Sequence, residues 1–156
     1  MGTMSRAFLK EGDGADGEPL AELRVSPHRN LVTAEGLAQI EAHVDRLRGE
    51  LSAARAAEDR AAIQRIQRDL RYWSARRATA QLTEPKQGTL VQFGSCVTIR
   101  RPDGATRVYR IVGIDEGNPK DGTLSYVSPL AQALMGKEIG ETVVVGANEE
   151  EIIALA

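Results

Sequence analysis

The chain of 156 residues is 42% hydrophobic and only 4% aromatic, with a formal charge of −2. That length suits one ordinary domain, or a small domain plus an extended element needing little core, and the core must be built from Leu, Ile, Val and Ala. Near-neutral charge excludes a global attraction to nucleic acid, so any phosphate contact requires a local cluster, and the lone Cys96 excludes an internal disulfide and fits a reducing compartment.

Residues 1–30 set Gly12, Gly14, Gly17 and Pro19 among Glu11, Asp13, Asp16, Glu18 and Glu22. This composition buries too little apolar surface to offset backbone ordering, and a flexible acidic tail is expected. The stretch lacks the apolar run of a signal peptide, and no window approaches the roughly 20 apolar residues of a membrane span. A cytoplasmic protein with no membrane partner is expected.

Thr33 suits an N-cap, and Leu37, Ile40, Val44, Leu47, Leu51 and Ala54 follow at 3-4 spacing on one stripe. A second stripe runs through Ile63, Ile66, Leu70, Trp73 and Ala80, interrupted only by Arg77. Between them Ala56-Ala-Glu-Asp59 makes a short connection, with Asp59 placed to cap the second helix. An antiparallel hairpin satisfies both stripes most simply. An intermolecular coiled coil or one continuous helix also fits, since no Gly or Pro forces a turn.

After Pro85 the period changes to two. Phe93, Ser95, Val97 and Ile99 alternate with Gly94, Cys96, Thr98 and Arg100, Pro102-Asp-Gly104 supplies a turn, and residues 106–112 return as a strand. Residues 113–122 read as a polar loop, 123–127 as a short strand, and Leu130, Ala131, Leu134 and Met135 as one face of a short helix. Ser128 and Pro129 fit its N-cap and first turn. Residues 137–145 re-enter the sheet, and Ile152, Ile153 and Leu155 close it.

Three blocks in this order, Val91-Gln-Phe-Gly-Ser-Cys-Val-Thr-Ile99, Tyr109-Arg-Ile-Val-Gly-Ile-Asp-Glu116 and Ser128-Pro-Leu-Ala-Gln-Ala-Leu-Met-Gly-Lys137, resemble the C-terminal domain of the Gre transcription elongation factors. Leu31-Val-Thr-Ala-Glu-Gly-Leu37 resembles the family's amino terminus, and Leu70-Arg-Tyr-Trp73 its outgoing arm helix. The resemblance implies an α+β fold: an N-terminal antiparallel coiled-coil hairpin at 31–84, then an FKBP-like antiparallel β domain with one short helix at 85–156. It also implies a monomeric accessory factor, without cofactor or enzymatic activity of its own, whose partner is core RNA polymerase. The globular domain of such a factor grips the rim of the secondary channel while the arm projects toward the catalytic metals and nascent RNA. The polymerase-binding residues implied here are Ser128, Pro129 and Leu130.

Cleavage-competent relatives present tip carboxylates that help hold a second Mg²⁺, a hard ion that prefers oxygen ligands. Here the tip reads Ala56-Ala-Glu-Asp-Arg60, so only Glu58 and Asp59 are available, and both also suit helix capping. Helices of about 24 residues span about 36 Å. Matching the flanking motifs makes the arm about two to three turns shorter than in those relatives, leaving the tip about 10–15 Å short of the metals. The arm is then similar to that of Rnk-type relatives, which occupy the channel without stimulating cleavage.

Arg60, Arg65 and Arg68, with Arg71, Arg76 and Arg77, make the second helix basic. They are candidates for channel or RNA phosphate contacts, or for ion pairs across the arm with Glu41, Asp45 and Glu50. Trp73 reads as core, and His28 and His43 lack metal-ligand spacing. Two other classes fit the residues less well. A prolyl isomerase needs aromatic pocket walls, for which residues beyond 85 offer only Phe93, Tyr109 and Tyr126. A coiled-coil adaptor needs apolar residues outside the seam, which are few.

Overall fold

The computed structural model describes residues 19–156, so residues 1–18 of the expected tail lie outside the described residues. Residues 19–29 form no helix or strand, but Asn30 is buried. Strand β1 (Leu31–Val32) pairs in parallel with β2 (Gln81–Leu82), closing a two-stranded ribbon across the base of the arm. No helix among the described residues is long and apolar enough to cross a membrane.

Helix α1 (Ala34–Ala56) starts at Thr33, whose Oγ1 accepts the Gly36 N–H at 3.0 Å. Its buried face runs Ile40, Val44, Leu47, Leu51 and Ala54, the expected stripe except at its start, where Gly36 is buried and Leu37 is half-buried. Helix α2 (Arg60–Thr79) returns antiparallel, with Ala62, Ile63, Ile66, Leu70 and Trp73 meeting that stripe in one apolar cluster. The alternative of one continuous helix therefore gives way to a hairpin within the chain. At 1.5 Å per residue the 23 and 20 residues of α1 and α2 span about 35 and about 30 Å.

Two positions on α2 depart from expectation. Its buried row shifts at the base from the expected Arg77 to Arg76, which is 1% exposed. There α2 stops facing α1 alone and meets the globular domain, so the inward direction rotates by about one residue, or 100°. Trp73 is half-buried rather than core. It stacks on His43 with centroids 4.1 Å apart and an interplanar angle of 12°, and Tyr72 meets its edge.

The globular domain holds five strands, β3 (Cys96–Arg100), β4 (Thr106–Val112), β5 (Thr123–Ser125), β6 (Thr142–Val145) and β7 (Asn148–Leu155), in the order β5-β4-β3-β7-β6. Three pairings are antiparallel as expected, but β4 and β5 run parallel. Residues 113–122 carry the chain back through two 3-10 turns, Ile114–Glu116 and Pro119–Asp121, before β5 begins. Helix α3 (Pro129–Leu134) covers one face of the sheet, burying Ala131 and Leu134 against Val97, Ile99, Ile111, Val143 and Ile152.

Leu47 is 3% exposed, whereas Leu70 is only half-buried. Leu47→Ala should cost about 2–5 kcal/mol in urea unfolding, and Leu70→Ala less than about 2 kcal/mol. Sedimentation of the wild type should give a monomer at all accessible concentrations; a dimer dissociated by Leu47→Ala would count against the intramolecular hairpin.

Candidate functional site

Any arm that delivers its tip to a target must be held at its base, and the base is a polar clasp between α2 and the Ile114–Glu116 turn. Arg76 Nε donates to Asp115 Oδ2 at 2.6 Å, and its Nη2 donates to Asn30 Oδ1 at 2.8 Å. Asn30 Nδ2 in turn donates to the Arg76 carbonyl at 2.7 Å and to Thr79 Oγ1 at 3.1 Å. Tyr72 donates its hydroxyl to Asp115 Oδ1. Burial, followed by the Asp115 hydrogen bond and charge, pushes the Tyr72 phenol up to about 12. Both Asp115 oxygens and the Arg76 Nε and Nη2 have partners, which is the condition under which desolvated ions are tolerated.

The adjacent Glu116 caps α1 from outside the helix. Its carboxylate accepts the Thr33 N–H at 3.2 Å, the Gly113 N–H at 2.9 Å and the Thr33 hydroxyl, placing negative charge at the positive end of the helix dipole. The space it occupies exists because two neighbours lack side chains. A Cβ on Gly36 would sit 2.1 Å from Glu116 Cδ, and one on Gly113 would sit 2.5 Å from the Leu31 carbonyl oxygen. Glu35 with Arg110, and the Tyr126 hydroxyl with the Arg29 carbonyl, tie the periphery of the same joint.

At the far end the tip is a tight turn. Asp59 N–H bonds the Ala54 carbonyl at 3.0 Å and Glu58 N–H bonds Arg55 at 3.1 Å, the paired closure of a Schellman motif. That motif requires a left-handed residue, and Glu58 fills it at φ 54° where glycine is usual. Asp59 is committed to capping α2, its Oδ1 accepting the Ala62 N–H at 3.1 Å. Both side chains are exposed. No group of three or more His, Cys, Asp or Glu that could hold a metal stands among the described residues, so these two carboxylates could only complete a shell provided by another molecule.

The helical period places Arg60, Arg65, Arg68 and Arg71 on the side of α2 away from α1. Arg60 and Arg65 are exposed, Arg68 pairs with Asp69 at 2.8 Å, and Arg71 pairs with Glu22. Among the described residues no ion pair crosses the arm. Glu50 pairs with Arg46 on its own helix, and Arg76 turns to Asp115 instead.

Ser128, Pro129 and Leu130 form a corner where β5 passes into α3, exposed at Pro129 and half-buried at the other two. Ser128 Oγ accepts the Ala131 N–H at 3.4 Å, Pro129 is exposed in the first turn, and Leu130 packs its half-buried side chain on the core. Gln132 Nε2 donates to the Tyr126 carbonyl at 2.6 Å, linking this corner to the residue that bonds Arg29 at the arm base. The corner therefore lies at the joint end, and the length of α1 separates it from Glu58 and Asp59. Sequence reasoning did not single out Asn30, Gly36, Tyr72, Arg76, Asp115 or Glu116 as a unit. The available signal was an arginine beside a break in the α2 stripe, together with an Asp-Glu pair inside one of the motif blocks.

Comparison with known proteins gives concordant matches. Residues 86–154 match the family described as transcription elongation factor, GreA/GreB, C-term. The chain is similar to transcription elongation factor GreA of Bacillus cytotoxicus, 41% identical over 75 residues, covering 45% of this chain and 48% of that protein. It is also similar to GreB of Haemophilus influenzae, 38% identical over 83 residues and 52% of each. The chain thus spans about half the length of the curated relatives it matches. Among solved structures, GreA factor homolog 1 of Thermus thermophilus aligns over 83% of this chain and 99% of its own, at 18% identity and a TM-score of 0.41. A GreA/GreB protein from Nitrosomonas europaea gives 16% identity and a TM-score of 0.41.

Two outcomes test the joint. Gly36→Ala should raise helix propensity by about 1 kcal/mol in an isolated peptide, yet destabilise the protein by about 1–3 kcal/mol because Glu116 must move; urea unfolding reads the sign. For Tyr72, folding raises the phenol above its unfolded value of 10.0. Its stabilisation is therefore complete below pH 10 and lost as pH climbs from about 10 to about 12. The loss should be about 1–2 kcal/mol after allowance for the ring's partial exposure, and the difference between wild type and Tyr72→Phe across that window should show it.

Proposed function

We propose, from the match of residues 86–154 to the GreA/GreB C-terminal family, that the chain is a transcription elongation factor acting on RNA polymerase at the secondary channel. It acts as an accessory protein rather than an enzyme, and any RNA cleavage in its presence uses the polymerase active site. The globular domain docks through the Ser128, Pro129 and Leu130 corner, and the clasped arm enters the channel. Arg60 and Arg65, exposed on the outer side of α2, face channel walls or RNA phosphates, with Arg68 beside them.

One observation carries the expectation of little or no stimulated cleavage: the tip has two carboxylates, of which Asp59 is engaged as the α2 cap and Glu58 is set by the turn. Metal ligation at about 2.1 Å demands that the carboxylates reach the metal. Helices of 23 and 20 residues support the short reach inferred from the motif spacing. Occupation of the channel in competition with longer-armed factors is then the main effect.

Purified protein added to backtracked elongation complexes should bind and leave the transcript intact. Leu130→Asp should lower affinity for core polymerase at least about tenfold, as expected when a charge replaces an apolar contact at an interface. Robust cleavage that disappears in Glu58→Ala, Asp59→Ala would overturn the non-cleaving reading. Glu58→Gly should stabilise the arm by about 1 kcal/mol by relieving the left-handed residue, without changing polymerase affinity.

A further inference from the structure

The sheet ends differently on its two sides. Helix α3 packs against both outer strands, but β5 also lies against both 3-10 turns, whereas β6 pairs only with β7 and has a free edge among the described residues. The backbone groups on that edge can be assigned. Ile152 N–H bonds the Glu141 carbonyl at 2.9 Å, and the antiparallel register continues through Val143 with Glu150 and Val145 with Asn148. Because bonded and non-bonded pairs alternate, Thr142 and Val144 point their N–H and C=O groups away from β7.

Exposed edges are ordinarily blunted by lysine, proline or a bulge on the edge strand. Thr142-Val-Val-Val145 carries neither lysine nor proline, all four residues are β-branched, and the bulge that sets Gly140 and Glu141 both opposite Ile152 lies before the strand rather than within it. Val144 is 67% exposed and Ile139, just before the strand, is 56% exposed. The surroundings are acidic. Glu150 and Glu151 are matched by Arg101 and Arg100, but Glu138, Glu141 and Glu149 carry no ion pair among the described residues. Glu149 sits directly across from Val144 and shares its face of the sheet.

We propose that β6 is a docking edge that adds one extended strand from a polypeptide partner in which lysine or arginine alternates with β-branched residues. Backbone bonds to Thr142 and Val144 supply the pairing. A basic side chain opposite Val144 lays its methylene stem across the valine and carries its charge toward Glu149, about two strand spacings, or roughly 9.6 Å, away. A second copy of this chain is the poorer occupant, because edge-to-edge pairing would gather two sets of the same glutamates on one patch. The assignment does not rest on the transcription reading.

The test uses the full chain and two synthetic peptides of equal length, one alternating lysine with valine or threonine and one with glutamate in place of lysine. Amide hydrogen exchange should show Thr142 and Val144 exchanging freely in the protein alone and protected by the lysine peptide. The glutamate peptide should bind at least about tenfold more weakly, a difference set by charge complementarity. Val144→Pro should abolish the protection and leave the β6–β7 ladder intact, since the N–H it removes faces outward. Glu149→Lys keeps the backbone unchanged and should reverse the peptide preference. Equal binding of both peptides, or protection elsewhere than residues 141–145, would overturn the proposal. So would protection of Thr142 and Val144 that grows with protein concentration without peptide, which would make the occupant a second copy.

Discussion

The buried contact between Arg76 and Asp115 ties together two elements, a thin two-helix arm and a small β domain. A hairpin of two helices has a single shared seam and leaves most of each helix surface in water. Such an arm needs a fixed base before its tip has a defined position, and apolar packing alone would let it slide. A guanidinium held by a carboxylate and an amide, with Tyr72 completing the second carboxylate oxygen, has one good geometry. Direction comes from that geometry. Removing either ion would leave the other buried and unpaired, a change that typically costs about 3–5 kcal/mol.

Glu116 extends the same logic by one residue. Its carboxylate is at once the external cap of α1 and the partner of the Gly113 backbone, so the start of the arm and the start of the 3-10 turn are built around one charge. Glycine at 36 makes room for that shared carboxylate, and glycine at 113 for both the carboxylate and the Leu31 carbonyl, and neither position has a positive φ. At the other end the demand is reversed. The tip turn requires a left-handed residue and receives a glutamate, so local strain is concentrated at the end that is free of contacts.

The two ends therefore suggest a division of labour. The joint end gathers the rigid features: the β1–β2 ribbon, the clasp, and the α3 corner linked to it through Tyr126. The tip end carries little beyond its own turn chemistry, and its capping role competes with any role as a metal ligand.

Local rules were enough for the elements. The 3-4 stripe from Ile40 to Ala54, the Thr33, Asp59 and Ser128 caps and the period-two runs at β3 and β4 each depend on neighbours within a few residues, and each is present where the sequence placed it. The α+β order of hairpin then sheet followed from the change of period near Pro85. Tertiary structure decided what depends on partners far along the chain. Asn30 looked like the end of an acidic tail, but bonds to Arg76 and Thr79 across more than 40 residues make it part of the joint. Arg76 could not be told from Arg77 by its sequence, because which of the two turns inward depends on where Asp115 arrives. The parallel entry of β5 was hidden for a similar reason: strand direction is set by the path of residues 113–122 over the sheet, and side-chain alternation is the same for either direction.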